Sequence, residues 1–393
     1  MRRLTGSIAG AAVLTLALGA CGSGGSSTTG SSGSSALAGS GTGDSCKISR
    51  PIPIGAVFSL TGAAASYGES QKKGLELAAA ELKTKGGVTY DVKTEDDATD
   101  PKQGIAVFER FVTNDKKSLI IGPTLSNTAK QTDPVAQEGK TPVLAVSNTA
   151  AGITEIGDYI FRDSLTEGAV IPQTIKAAKD KFGLSKVVVL YSNDDAFTES
   201  GYQAFKKALD ANGVTITKTI TFSKSDTDFR AQLAVAKASA PDALVVSALV
   251  EAAVPLVTQA REVGIDAPII GGNGFNSPKL MAGAGKAADG VVVGAAWNSA
   301  SSGSENAAFL AAYRAKYSAD PDQFAAQAYT GLKLVDVAVR AGCSGERADI
   351  KKHLAELKNV PTALGPFTMT ATRDADTPAV VQVVQNGKFA VLK

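Results

Sequence analysis

From Ile52 onward the chain alternates between two textures. Short runs of β-branched and other apolar residues, over 52–58, 90–95, 119–122, 142–146, 186–191, 243–247, 268–272 and 290–296, are separated by stretches rich in Ala, Leu and Lys. Most of the runs are continuously apolar instead of alternating, as expected of strands covered by helices on both faces. The stretches between them predict helices over 67–85, with Leu75, Ala78, Ala79 and Leu82 along one face, over 102–114 and over 228–239. Repeated βα order implies parallel sheets joined by right-handed crossovers. About 340 residues of this pattern exceed one comfortable core, so the expected fold class is α/β with two Rossmann-like lobes.

The N-terminus has a different texture. Arg2 and Arg3 precede an uncharged apolar stretch over 8–18, the length of a signal-peptide core and well short of the roughly 20 residues that span a bilayer. It ends in Leu18-Gly19-Ala20-Cys21, which resembles the bacterial lipobox, where the Cys is acylated and becomes the new N-terminus. Residues 1–20 are thus expected to be a lipoprotein signal peptide with Cys21 the lipid attachment site. The following 21–46 is dominated by Gly, Ser, Thr and Ala, too poor in apolar side chains to fold, and is expected to be a tether holding the body roughly 25 Å from the membrane. The expected location is outside the cell membrane, anchored to it by lipid.

Composition narrows the function classes. Lys plus Arg number 40 against 38 Asp plus Glu, and with Arg2 and Arg3 set aside the two totals are equal. A neutral body without a basic stripe argues against nucleic acid as a partner. One His and three Cys, at 21, 46 and 343, leave no ligand cluster for a metal or haem, so no cofactor or metal is expected. Once Cys21 is acylated, Cys46 and Cys343 remain. Export makes a disulfide between them the expected state, closing a loop of about 300 residues, with two free thiols as the alternative.

In α/β lobes ligands lie at the carboxyl ends of strands. The loop after the first strand, residues 59–68, is small and polar and includes Tyr67; the loop after the third holds Ser126-Asn127-Thr128, and that after the fourth Ser147-Asn148-Thr149. Hydroxyls and free N–H groups at a helix start favour a carboxylate or amide. For any single loop, a simple N-cap is the competing explanation.

Ile54-Gly55, Thr61-Gly62, Tyr67-Gly68, Glu95-Asp96-Asp97 with Asp100-Pro101, Gly122-Pro123, Pro142-Val143 and Phe161-Arg162 stand in an order and spacing that resembles the periplasmic-binding-protein-like type I family, more narrowly the branched-chain amino-acid-binding proteins of ABC importers. Asp226-Thr227-Asp228-Phe229, the run over 259–264 and Leu364-Gly365-Pro366-Phe367 continue it, so the likeness covers 50–393. The resemblance implies a carboxylate held by Ser126, Ser147 and Thr149, aromatic contacts from Tyr67 and Phe197, and second-lobe contacts at Leu249 and Asn273. It also implies a three-segment hinge near 163–167, 295–298 and 367–370. The lobes then divide as 47–165 and 296–367 for the first, 166–295 and 368–393 for the second. The implied partners are a small amino acid, amide or carboxylate ligand and the permease subunits of an ABC transporter, engaged by a monomer.

Relatives carry an acid for the ligand's ammonium where this chain has Asn273, and an aromatic where it has Leu249. An ammonium without a counter-charge is costly to bury. Either another acid substitutes, with Asp194, Asp195, Glu199 and Glu251 as candidates, or the ligand is a carboxylate or amide with an apolar or aromatic body and no free amine. A sensing receptor for such a solute is the alternative to transport. An enzyme is the more distant one: His353 sits on a charged helix face, Gly283-Ala284-Gly285-Lys286 lacks the first Gly and the Ser/Thr of a phosphate loop, Gly272-Asn273-Gly274 lacks the third Gly of a dinucleotide turn, and Gly-x-Ser-x-Gly is absent.

Overall fold

A computed structural model describes residues 37–393. The signal peptide, Cys21 and most of the tether lie outside the described residues. The first lobe opens with β1 (Ile52–Phe58), α1 (Ala65–Lys85), β2 (Tyr90–Asp96), α2 (Pro101–Glu109), β3 (Leu119–Ile121), α3 (Ser126–Glu138), β4 (Val143–Ala145) and β5 (Ile160–Arg162). These strands form one parallel sheet in the order β2-β1-β3-β4-β5. β3, β4 and β5 are buried along their whole length; β3 and β4 show in the sequence as short unbroken apolar runs, whereas β5 ends in Arg162 and was not among them.

The second lobe repeats the plan with α4 (Glu167–Phe182), β6 (Lys186–Ser192), α5 (Ala196–Ala211), β7 (Thr215–Phe222), α6 (Arg230–Ala238), β8 (Ala243–Ser247), α7 (Val250–Glu262), β9 (Ile269–Gly271), α8 (Pro278–Ala284) and β10 (Val292–Ala295). The chain then returns to the first lobe through α9 (Ser304–Tyr317), α10 (Gln323–Gly342), α11 (Arg347–Ala355), β11 (Val360–Thr362), β12 (Gly365–Met369) and β13 (Ala375–Asp376), and ends in β14 (Val380–Gln385) and β15 (Lys388–Val391). The second sheet runs β15-β14-β10-β9-β8-β6-β7, with β14 and β15 antiparallel additions at one edge. Apart from them, its order copies that of the first lobe. β7, outside the unbroken apolar runs of the sequence, is the opposite edge, and its Thr/Ile alternation suits a strand with one wet face.

The disulfide forms: Cys46 and Cys343 are joined, with Cα atoms 5.4 Å apart. Two expected boundaries shift. The tether was expected to run to residue 46, yet Ala38 bridges to Ser344, Ser40 to Lys47, and Leu37 accepts a bond from Gly345 N–H, so its last ten residues are stapled to the first lobe beside the disulfide. The third passage was expected near 367–370, yet β12 pairs with β13, and the Arg373 guanidinium donates to the carbonyls of Ile160 and Thr154. Thr377 still bonds Leu364, and the chain enters the second sheet only at β14. The small ribbon β11-β12-β13 holds residues 368–377 on the first lobe, about ten residues further than the sequence suggested.

Candidate functional site

Both sheets turn the carboxyl ends of their strands toward a common cleft, the position expected from their strand order. The cavity between its walls is ≈ 30 Å³. Tyr67, Ser126, Ser147, Phe197, Leu249 and Asn273, all expected from the sequence, line it together. Thr124, Leu125, Asn148 and Gly274, from the same loops, line it as well, and so does Phe324, which was not anticipated. Phe324 sits in the first turn of α10, remote in sequence from every βα loop, and only the return of the chain to the first lobe brings it here.

Tyr67 stands in the first turn of α1. The neighbouring Gly68 lets that turn lie directly on the β1 loop, where a Cβ would fall 2.0 Å from the Ser59 carbonyl oxygen. The Tyr67 ring rests on Phe324, centroids 4.6 Å apart. Burial pushes its phenol well above the usual range, so the group stays a neutral donor.

α3 begins without a side-chain cap, leaving the first N–H groups of a thirteen-residue helix toward the cleft wall formed by Leu125 and Ser126. Ser126 Oγ accepts the Ala150 N–H at 3.2 Å, which leaves its own proton free to donate. Ser147 is held more tightly. Its hydroxyl donates to the Thr124 carbonyl at 2.6 Å and accepts from Gln71 Nε2 at 2.7 Å, and Thr124 in turn donates to Gln71 Oε1. Asn148 gives its Nδ2 to the Pro123 carbonyl, and its Oδ1 is buried with no partner. An unpartnered acceptor in a cleft wall is a place for a ligand N–H or O–H.

Thr149 departs from expectation. It does not line this cleft but donates to Glu167 Oε1 at 3.2 Å, on the side of a wider neighbouring groove that Arg162 and Thr166 also line. Two residues after Ser147 the chain has carried Thr149 to the Glu167 side of the wall.

Asn273 is no simple replacement for an acid. Its Nδ2 donates to Glu167 Oε1 at 2.9 Å and toward the Leu165 carbonyl, while its Oδ1 accepts from Gln323 Nε2 at 3.1 Å. None of the four suggested substitute acids lines this cleft. Asp194 accepts from Ser223 and the Lys224 N–H, Asp195 caps α5, Glu199 borders the neighbouring groove, and Glu251 pairs with Lys279 at 3.0 Å. The acid bonded to Asn273 is Glu167, which the sequence reading missed. It is 1% exposed, one Cβ clash away from Gly272, and burial pushes its carboxyl up to about 7 against the opposing bonds from Asn273 and Thr149. The available signal was an acid at the end of the first hinge passage.

Among the described residues no group of three His, Cys, Asp or Glu could hold a metal, and no helix is long and apolar enough to cross a membrane.

Comparison with known proteins places this geometry. The chain is 28% identical over 335 residues to the Leu/Ile/Val-binding protein of Rhizobium johnstonii, covering 82% of this chain and 88% of that one. A branched-chain amino acid transporter substrate-binding protein from Streptococcus pneumoniae, solved with isoleucine, is 29% identical with a TM-score of 0.82, covering 86% and 98%. An ABC transporter solute-binding protein from R. palustris, solved with benzoate, is 25% identical with a TM-score of 0.79, covering 87% and 96%. The family model described as periplasmic binding protein matches residues 51–388. Because that match runs through both lobes and all three passages between them, and not through a single Rossmann-like half, the chain belongs to the periplasmic binding protein family, with the type I fold.

Proposed function

We propose that this chain is the extracytoplasmic solute receptor of an ABC importer, a monomer anchored by lipid at Cys21, that captures a small carboxylate with an apolar or aromatic body and presents it to the permease. The observation that carries the ligand class is the state of Asn273: both ends of its amide are bonded within the protein, and no acid lines the cleft. The α3 N-terminus and the Ser126 hydroxyl suit the carboxylate. Tyr67, Phe197, Leu249 and Phe324 suit the body, and Asn148 Oδ1 suits a hydroxyl or amide donor. Capture proceeds by hinge closure: the ligand settles on the first lobe, the second closes over it, and only contacts made in the closed state shift the balance toward it.

One observation favours a second reading, a branched-chain amino acid. Glu167 lies one bond behind Asn273 and could supply the counter-charge for an ammonium if Asn273 turned aside.

Calorimetry with benzoate, 4-hydroxybenzoate, L-isoleucine and L-leucine separates the two. The favoured reading expects an aromatic acid to bind at least tenfold more tightly than either amino acid. Submicromolar L-isoleucine affinity that collapses in Glu167→Gln overturns it in favour of the second. Melting temperatures unmoved by every solute of a broader panel of carboxylates and amides would sink the receptor reading itself.

A further inference from the structure

The first passage between the lobes carries two buried carboxyl groups with opposite surroundings. Asp163, fully buried, packs against Gly331 of α10, and both of its oxygens lack a side-chain or backbone donor. Its backbone N–H donates to the Ala145 carbonyl of the first lobe. Glu167, four residues on, is enclosed by both lobes. Oε1 accepts from the Asn273 side chain at 2.9 Å, from the Asn273 N–H at 3.3 Å and from Thr149 of the first lobe at 3.2 Å. Oε2 is buried against Gly272 without a partner, and Cγ lies near Gly201 of α5. None of these facing groups is charged. Asn273 is itself held by Gln323 of the first lobe, whose Oε1 accepts the Ala296 N–H of the second passage at 2.6 Å.

We propose that Glu167 is a positioning residue that ties Thr149 to Asn273 across the closed cleft, and that closing the lobes over it takes up a proton. The proposal rests on the hinge closure of the receptor reading. Opening withdraws Thr149 and Gln323 with the first lobe and lets water reach the carboxylate, which then returns toward its ordinary range. The closed state holds the proton more tightly because burial disfavours the anion. Closure is therefore favoured as pH falls below about 7, and that advantage is lost as pH rises through the same value. The closed-to-open ratio changes by up to ~10²-fold. Asp163, which meets Gly331 of the first lobe, is the control.

Small-angle scattering of the full chain at pH 5.5 and 8.5 tests this without any ligand. The expected result is a smaller radius of gyration at pH 5.5 than at 8.5, a compact particle at both values for Glu167→Gln, and the wild-type pH response in Asp163→Asn. An unchanged radius in the wild type, the same shift in Glu167→Gln, or its loss in Asp163→Asn each overturns the proposal. Thermal unfolding guards against a misfolded variant. Glu167→Gln should melt with the wild type at pH 5.5 and above it at pH 8.5, whereas a lower melting temperature at both values means a merely structural role and overturns the proposal. A solute panel in which nothing binds counts against the receptor reading and leaves these results in place.

Discussion

The Tyr67 hydroxyl lies 2.7 Å from the backbone N–H of Val250, 183 residues away and on the opposite lobe. The same hydroxyl donates to the Gly274 carbonyl at 2.7 Å. One side chain of the first lobe thus satisfies the uncapped start of α7 and the loop after β9 together, and it can do so only when the lobes are closed.

Removing that hydroxyl leaves both backbone groups buried without this partner. Each such loss costs about 1–3 kcal/mol of closed-state stability. Tyr67→Phe is therefore expected to weaken binding of any captured solute at least tenfold, chiefly through faster release, which stopped-flow dissociation measures; an unchanged release rate would show that the bridge does not hold the cleft shut.

A second cross-lobe clasp joins Asn127 to the start of α5. Its Nδ2 donates to Asp195 Oδ2 at 2.6 Å and its Oδ1 accepts the Ala196 N–H at 2.8 Å. Asn127→Ala should raise the dissociation constant several-fold, and Asp195→Asn, which keeps a cap for α5 but removes the charge from the bond, should do so less. Isothermal titration of both variants gives the order, and a larger effect in Asp195→Asn would contradict it.

Ser126 is the one wall hydroxyl with a proton free for a ligand. Hydrogen bonds to charged groups contribute roughly 1.5–3 kcal/mol, so Ser126→Ala is expected to reduce affinity for a carboxylate by one to two orders of magnitude. Thr149→Ala, whose side chain faces Glu167 and not the cleft, should cost clearly less. Equal losses in the two would put Thr149 back among the ligand contacts.

The Cys46–Cys343 bond closes a loop of 297 residues and staples the N-terminal segment to the first lobe. Cys343→Ser is expected to lower unfolding free energy by about 2–5 kcal/mol. Thiol titration of the denatured, unreduced protein lacking Cys21 should find no reactive group, and two would reject the bridge.

Acylation at Cys21 predicts that labelled fatty acid enters the wild-type chain and not Cys21→Ala. Two acyl chains supply the paired signals that stable attachment needs, at about 0.8 kcal/mol per buried CH₂. Equal labelling of both proteins would exclude this residue as the anchor.

The βα rhythm of the chain was enough to place β1 and β8 to the residue and to imply two parallel sheets, because strands buried on both faces must be apolar throughout and the pattern is local. The polar loops after β1, β3 and β4 likewise announced Tyr67, Ser126 and Ser147, since loops leading into helices favour small residues and side chains that can accept from the free N–H groups there. What the sequence left open depends on contacts between distant segments. Phe324 reaches the cleft only through the return of α10, and Thr149 is bonded to Glu167 of the other lobe instead of facing the cleft. Residues 368–377 stay on the first lobe because Arg373 finds the Ile160 and Thr154 carbonyls. Asn273 read alone is a missing charge. Only the tertiary structure sets Glu167 behind it and Gln323 before it, because burial and hydrogen-bond saturation are properties of a neighbourhood assembled from three separate passages of the chain, which no local spacing encodes.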